Sequence, residues 1–359
     1  MTDIHEIIAK ALERNPSDLH ISAGVAPVCR VDGRLLPLDI PAPSADDTLA
    51  YAKELLSPEQ FVQLELNGEL DVALASDESR TVRMRLNAFR QRGSYSLAFR
   101  ILNQKIPPFD ELGLSPEICE GFCRLQHGLV LVTGATGTGK TTTITAMIDW
   151  INKNRSCHII TLEDPIEYYH RHNRSIVHQR EIGPDTRSFA SALRAALRQD
   201  PDVIFVGEMR DLDSISTAIT AAETGHLVFS TLHTIGSAKT IDRIIDVFPT
   251  GQQQQIRIQL SMVLQGIISQ QLIPELSGSG RALATEVLMM TPAIRNLIRE
   301  NRTAQIPNAI TTGAQLGMRT METSLVELVS QGRISADEAR IYAAVPENLD
   351  TLLERMGRK

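Results

Sequence analysis

The chain of 359 residues carries 36 Lys and Arg against 43 Asp and Glu, a net charge of −7, and 42% of it is hydrophobic. This length predicts two domains, and the acidic balance argues against a general nucleic-acid binder, whose domains tend to be basic. No apolar run is long enough to cross a bilayer, and the first residues lack the features of a signal peptide. We therefore expect a cytoplasmic protein without membrane insertion, which is compatible with docking on a membrane complex.

The first part of the chain, residues 1–102, predicts a mixed α/β domain. The segment IHEIIAKALE has the apolar spacing of a helix. VCRVDGRLLPL predicts a hairpin that turns at Asp32 and Gly33, and TVRMRLNAFRQRGSYSLAFRIL predicts a second hairpin that turns near Gly93. The paired prolines Pro107 and Pro108 disfavour regular structure, so residues 103–114 are predicted to be a linker.

From residue 115 to 359 strands alternate with helices, which predicts a mostly parallel sheet covered on both faces. The predicted strands are apolar throughout, as burial on both faces requires. They are GLVLVT, CHIITLED, DVIFVGE and HLVFSTLH, and the helices between them include FASALRAALRQ and DSISTAITAAE. From about residue 252 helical periods dominate, apart from a strand predicted near ALATEVLMM.

The segment GATGTGKT at 134–141 fits the phosphate-loop pattern G-x-x-x-x-G-K-[ST] and lies between an apolar strand and a helix, as that motif requires. Glycines allow backbone N–H groups to point at phosphate oxygens, and the helix N-terminus favours negative charge there. The lysine can neutralise the β- and γ-phosphates, and the following threonine can offer its hydroxyl to Mg²⁺. The flanking elements disfavour a glycine-rich turn without nucleotide. The predicted nucleotide-binding residues of this segment are Gly134, Thr136, Gly137, Thr138, Gly139, Lys140, Thr141 and Thr142.

Ligands of such sheets bind beyond the carboxyl ends of the strands. Glu163, Glu208 and His233 each follow a predicted strand, and we expect them on the side of the phosphate loop. Glu208 is the candidate for activating the attacking water. The position before it, where an Asp commonly helps to hold Mg²⁺, is Gly207, so we assign support of the metal to Glu163 and Thr141.

His226 opens the strand that His233 follows. We predict that both histidines sense the γ-phosphate or link the sheet to a subunit interface. Other histidines lie close together in the sequence, at 158, 170, 172 and 178, but no H-E-x-x-H frame and no cysteine pair accompanies them. A zinc site is therefore disfavoured, and the four cysteines are predicted to be buried or unreactive.

Six arginines fall between residues 80 and 100. One interpretation is a solvated sheet face on which they pair with acids such as Glu69 and Asp71. The other is that some reach the nucleotide of a neighbouring subunit as arginine fingers, which stabilise the transition state in trans. Arg85 and Arg100 are our candidates for that role.

Five stretches of the chain resemble the motifs of secretion ATPases. The last of them resembles the signature of the type IV pilus retraction ATPases. The stretches are SDLHIS with RVDG downstream (start of the N-terminal domain), ITLEDPIEY at 160–168 (Asp box), DPDVIFVGEMRD at 200–211 (atypical Walker B), TAAETGHLVFSTLHT at 220–234 (His box) and AIRNLIRE at 293–300.

The resemblance implies a hexameric ring of two-domain subunits, with a PAS-like α+β N-terminal domain and a RecA-like ATPase domain that ends in helices. It implies ATP and Mg²⁺ as cofactors, Glu208 as the catalytic glutamate, and arginines from an adjacent subunit at each site. It also implies that ATP turnover drives depolymerisation of pili through an inner-membrane platform protein.

The alternatives within this class are an accessory retraction ATPase and a type II secretion or pilus assembly ATPase. Assembly ATPases carry a tetracysteine zinc site, and no cysteine follows Cys157 here, which favours retraction. In AIRNLIRE, we expect Ile294, Leu297 and Ile298 to pack as an apolar stripe and Arg295, Arg299 and Glu300 to be exposed. Because Gly207 replaces the usual Asp, a nucleotide-dependent scaffold with little turnover also stays open. A DNA-handling ATPase is disfavoured by the acidic balance.

Overall fold

A computed structural model describes residues 2–14, 16–31, 34–75, 83–102, 106–209, 211–278 and 280–357. The chain divides into two compact units, residues 1–105 and 106–359. Residues 106–114, which we predicted to be part of a linker, pack on the second unit, because Phe109 and Leu114 are buried in its core. The remainder of that predicted linker, 103–105, lies outside the described residues.

The first unit is built on an antiparallel sheet with the strand order β3-β2-β1-β6-β5-β4. Both predicted hairpins are confirmed as the pairs β2–β3 and β5–β6. The second turns at Gly93, whose φ of +81° favours glycine; Asp32 and Gly33 lie outside the described residues. The elements are α1 (Ile4–Leu12), β1 (Asp18–Ser22), β2 (Val28–Val31), β3 (Arg34–Pro37), α2 (Ala45–Leu55), α3 (Pro58–Asn67), β4 (Glu69–Ala75), β5 (Arg83–Gln91) and β6 (Ser94–Leu102).

The second unit contains a sheet with the order β13-β12-β7-β11-β10-β8-β9, parallel except for the antiparallel pair β12–β13. Helices follow most strands. The elements are α4 (Pro116–Cys123), β7 (Gly128–Thr133), α5 (Lys140–Asn154), β8 (His158–Glu163), β9 (Ile176–Glu181), α6 (Phe189–Ala196), β10 (Val203–Val206), α7 (Leu212–Glu223), β11 (Leu227–Leu232), α8 (Ser237–Asp246), α9 (Thr250–Val263), β12 (Leu264–Pro274), β13 (Arg281–Met289), α10 (Pro292–Arg299), α11 (Ile306–Thr312), α12 (Met321–Ser330), α13 (Ala336–Tyr342) and α14 (Pro346–Gly357).

The central strands β7, β10 and β11 are buried along their whole length. Successive side chains of a strand point to opposite faces, so each strand contributes residues to two hydrophobic clusters, one on each face of the sheet. Leu129 and Leu131 of β7 pack in the cluster on one face, and Val130 and Val132 pack in the cluster on the other. This two-sided burial explains why these strands are apolar without alternation.

The prediction of mainly helical structure after residue 252 is wrong for one central element. Helix α9 ends at Val263, and the chain continues directly as strand β12, which pairs with β7 beside the phosphate loop. A short buried apolar run cannot be told from a helix by its periodicity. Within β12, Gly266 packs so closely on helix α4 that a Cβ there would lie 2.3 Å from the Phe122 ring. Strand β9 was missed as well.

Helix α10, which contains most of AIRNLIRE, buries Ile294 and Ile298 as predicted. Arg295, however, is not exposed. Its guanidinium donates to the backbone oxygens of Ser261 and Met262 at the end of α9, and to Oε1 of Gln265. The cation therefore satisfies carbonyls that the end of a helix leaves without intrahelical partners.

No helix in the described parts of the chain is long and apolar enough to span a membrane. Among the cysteines, Cys29, Cys119 and Cys123 are buried and Cys157 is partly buried. Burial raises the pKa of the Cys119 thiol to about 12 and that of Cys123 well above its ordinary value. Since the thiolate is the reactive form, these two thiols are expected to be unreactive in the folded chain.

Candidate active site

The phosphate loop joins β7 to α5, and steric constraints explain why glycine occupies three of its positions. Gly134 has a φ of +145°, and a Cβ there would lie 2.4 Å from the backbone oxygen of Gln270 on β12. Gly137 and Gly139 have φ values of +80° and +83°, which side chains rarely adopt. Strand β12, which the sequence patterns did not predict, therefore packs directly against Gly134, the first residue of the loop.

Lys140 is the first residue of α5 and is 8% exposed. Its Nζ donates to the backbone oxygens of Gly134 at 3.0 Å and Ala135 at 2.9 Å, and lies 3.5 Å from Nδ1 of His233. Burial lowers the pKa of this amine, whereas the charges of Glu208 and Glu167 raise it. The lysine is thus held inside the loop with two carboxylates nearby.

A cavity of about 530 Å³ opens beside the loop, within the size range of small-molecule sites. Three of the predicted strand-end residues, Glu163, Glu208 and His233, line it together. All predicted residues of the phosphate loop except Gly134 also line it; they are Thr136, Gly137, Thr138, Gly139, Lys140, Thr141 and Thr142.

Glu208 and His233 lie at the ends of the neighbouring strands β10 and β11. The two side chains approach each other, with His233 Nε2 at 3.2 Å from Glu208 Oε2. Because Nδ1 of the same ring faces Lys140, the imidazole stands between the lysine of the phosphate loop and the candidate catalytic carboxylate.

The replacement of the usual Asp by Gly207 has a local physical reason. A Cβ at this position would lie 3.1 Å from the backbone oxygen of Leu162 and 3.5 Å from Cα of Glu163, both at the end of β8. The close approach of β10 to β8 therefore favours glycine, and it brings Glu163 towards the cavity.

We predict that Gly207→Asp is destabilised by about 1–3 kcal/mol, because its Cβ would lie 3.1 Å from the backbone oxygen of Leu162 and the neighbouring strand would have to shift slightly. ATP turnover should fall together with thermal stability. Thermal unfolding and turnover of the variant check this, with Gly207→Ala as the control that adds only a Cβ and should fall between it and the wild type. A fully stable Gly207→Asp protein would contradict the steric account.

Glu163 is 4% exposed, at the end of β8. Its Oε1 accepts hydrogen bonds from Thr161 Oγ1 at 2.6 Å and from Gln179 Nε2 at 3.2 Å. Burial raises the pKa of this carboxyl to about 7, although both hydrogen bonds oppose the shift. The group is thus able to change its charge near neutral pH.

A hydroxyl and a carboxylate, Thr141 and Glu163, line the same cavity. Hard oxygen ligands of this kind fit Mg²⁺, which is usually bound by one or two protein groups together with substrate phosphates. In the described segments no group of three or more His, Cys, Asp and Glu could hold a metal ion. The donor set therefore suits Mg²⁺ on a nucleotide and does not suit a metal bound by protein alone.

His226 does not join this cluster. It precedes β11, whereas His233 follows it, and a strand of this length separates the two rings by roughly 20 Å. Its Nδ1 lies 3.0 Å from the backbone oxygen of Ala221 and 3.3 Å from Thr224 Oγ1. Within one subunit the strand therefore places His226 at the opposite edge of the sheet from the phosphate loop, where it cannot bind the same nucleotide as His233. Its alternative role at a subunit interface stays a prediction.

The histidines at 158, 170 and 178 make contacts with the protein or are buried. His158 Nε2 lies 2.8 Å from His178 Nδ1, a hydrogen-bonded pair at the sheet edge. His170 is buried, and burial lowers the pKa of its ring to about 4, so the ring is neutral at physiological pH.

Arg85 and Arg100 lie opposite each other on β5 and β6 of the first unit. Arg85 Nε is 3.4 Å from Asp71 Oδ1, and Arg100 Nε is 3.1 Å from Asp18 Oδ1. Arg100 keeps 70% of its side chain exposed. Within one subunit both arginines thus pair with surface acids, including the predicted partner Asp71. Arg80 and the side chain of Arg83 lie outside the described residues.

Other residues of the cavity carried no signal in the sequence. Arg281, the first residue of β13, donates from Nη1 to the backbone oxygen of Gly137 at 3.4 Å. Leu272 and Leu283 of the β12–β13 hairpin line the same wall. These residues follow the phosphate loop by well over a hundred positions, and only the pairing of β12 with β7 brings them to it.

Comparison with known proteins decides the family. A family model described as type II/IV secretion system protein matches residues 1–341. The chain belongs to this family. It is 46% identical to the type IV pilus retraction ATPase PilT of Pseudomonas aeruginosa, over 96% of this chain and 99% of that protein. It is 44% identical to a twitching motility protein of Neisseria gonorrhoeae, over 90% and 86%.

A crystal structure of the pilus retraction motor PilT with bound ADP superposes with a TM-score of 0.91 at 49% sequence identity. The match covers 98% of this chain and 100% of that one. The resemblance predicted from the motifs is confirmed, and the mixed α/β fold is shared with these relatives.

Proposed function

We propose that this chain is an ATPase that drives the retraction of type IV pili and thereby twitching motility. The observation that carries the proposal is the near-complete match to a pilus retraction ATPase at 46% identity. The cavity beside the phosphate loop supplies a matching chemistry, since His233 contacts both Lys140, at 3.5 Å, and Glu208, at 3.2 Å.

In this proposal the triphosphate lies on the loop from Gly134 to Thr142, and Lys140 neutralises its β- and γ-phosphates. Glu208 orients and deprotonates the attacking water, and His233 senses the γ-phosphate. Thr141 and Glu163 would hold Mg²⁺ or its waters, and the bound ion would supply positive charge beside the phosphates. Transfer through a loose transition state needs mainly positioning and electrostatic stabilisation, and these groups provide both.

We further propose that the first unit is a PAS-like domain, that the second is a RecA-like domain ending in helices, and that six copies form a ring. Arg85 and Arg100 would then leave their surface acids to complete the site of a neighbouring subunit. His226, at the opposite edge of the sheet, would serve the subunit interface. The motor would work in the cytoplasm, docked on an inner-membrane platform protein.

The scaffold alternative rested on Gly207. The close approach of β10 to β8 gives a steric reason for glycine at this position, and equal, near-zero turnover in the wild type and in Glu208→Ala would favour the scaffold.

Deletion of the gene tests the proposed function. Cells without the protein should carry abundant pili that do not retract, and twitching should be lost. Expression of the wild-type gene should restore both. Bald cells would contradict the proposal and indicate an assembly ATPase, and retraction that survives in weaker form would indicate an accessory motor.

A further inference from the structure

The segment from His233 to Ser237 joins the end of β11 to the start of α8. Its first residue is the imidazole that stands between Lys140 and Glu208. His233 and Ile235 are exposed, whereas Ser237 is fully buried. The far end of this segment is therefore fixed in the core, four residues from the imidazole.

Two strands that follow later in the chain hold that end. Glu286 of β13 accepts two hydrogen bonds on Oε1, from the N–H and from the hydroxyl of Ser237, both at 2.7 Å. Ser269 of β12 accepts a third on its Oγ, from the N–H of Gly236 at 2.9 Å. Ser269 is fully buried, so this anchor is part of the core of the second unit.

The anchor replaces an ordinary helix cap. The residue before α8 is Gly236, which has no side chain to cap the helix and adopts a φ of +90°. The N–H groups of a helix start need acceptors, and the dipole there favours negative charge. A carboxylate that receives two hydrogen bonds at such a site gives bonds about twice as strong as neutral ones. Glu286 therefore fixes both the start of α8 and the path of the segment before it.

The surroundings of Glu286 support a dedicated role. Burial raises the pKa of its carboxyl, the two bonds from Ser237 lower it, and the charge of Glu322 raises it. A carboxylate that serves only solubility would lie on the surface, whereas this one is kept partly buried beside a second acid.

We propose that Glu286, with Ser269, is a positioning residue that holds His233 in reach of Glu208 and Lys140. The inference rests on the proposed ATPase function and extends it to residues outside the cavity. It acts through His233, so its effect should vanish when the imidazole is absent.

A double-mutant cycle on the full chain with Mg-ATP tests this proposal. Glu286→Ala should lower kcat about tenfold with little change in KM, because misplacement of a catalytic group costs rate. In a His233→Ala background the same substitution should change kcat less than twofold, since coupled residues are not additive. Glu286→Gln keeps an acceptor oxygen and should recover much of the loss. Equal losses in both backgrounds would overturn the proposal.

Two controls separate fold from function. Glu275→Ala removes a partly buried carboxylate that accepts from Nε of Arg333 at 3.0 Å and does not touch the segment; it should lower the melting temperature and leave kcat unchanged. If Glu286→Ala does not fold, Ser269→Ala takes its place, and an unchanged kcat in that variant would overturn the proposal. Absence of turnover in the wild type would contradict the ATPase function itself, whereas normal turnover in both anchor variants contradicts this inference alone.

Discussion

Glu208→Gln is expected to hydrolyse ATP about 10²–10³ times more slowly than the wild type while it still binds the nucleotide. General-base groups contribute rate factors of this size, and the amide cannot take a proton from water. Its Oε1 can still accept from His233, so the contact at 3.2 Å seen for the carboxylate need not be lost. Steady-state turnover and the affinity for a fluorescent ATP analogue measure the two effects separately.

Glu223→Gln is the control for this experiment. Glu223 is an exposed acid at the end of α7 that pairs with Gln259 at 3.0 Å, and it does not line the cavity. It should keep wild-type turnover. A Glu208→Gln protein with the turnover of this control would remove Glu208 from the catalytic step.

Glu163→Gln is expected to lose most ATP turnover and to gain stability at alkaline pH. The raised pKa, about 7 against an ordinary value of 4.5, means that the folded chain binds more protons than the unfolded chain between these pH values. Its contribution to stability is therefore present below pH 4.5 and is lost as the pH rises through about 7. The loss is on the order of 3 kcal/mol, which a neutral glutamine does not suffer.

Turnover of the wild type should change in the opposite direction. The carboxylate supports the metal only when it is ionised, so turnover should rise as the pH passes through about 7. Bound Mg²⁺ favours the charged form, so higher Mg²⁺ should move this rise to lower pH. Melting temperatures and turnover from pH 5 to 9 check both curves. A variant that is less stable than the wild type at pH 8.5 would contradict the assigned charge change.

Local patterns in the sequence were sufficient for the strands that flank the phosphate loop. β7, β10 and β11 are buried on both faces, so their sequences are continuously apolar, and the residues after them carry the polar groups of the cavity. Glu163, Glu208 and His233 meet as expected, because parallel strands end at the same edge of a sheet. The sequence showed that Gly207 departs from the usual Asp, but the steric reason for a glycine there, the short distance between β10 and β8, was visible only in the structure.

What the sequence did not reveal depends on contacts between distant positions. β12 was not predicted because a buried apolar run has no distinctive period. The contact of Gly134 with the backbone oxygen of Gln270 on β12, which leaves no room for a side chain at Gly134, was therefore not predicted either. Glu286 and Ser269 gave no signal, since their partners in the segment after His233 come from an earlier part of the chain. His226 opens the strand that His233 follows, as predicted, and the length of that strand keeps His226 out of the cavity.

The central claim is that hydrolysis at this cavity retracts pili, and time-lapse imaging of labelled pili on living cells tests it most directly. Cells whose only copy of the gene encodes Glu208→Gln should extend pili and show almost no retraction events, whereas cells with Glu223→Gln should retract as the wild type does. Retraction at wild-type speed in the Glu208→Gln cells, with the protein present at normal levels, would contradict the account.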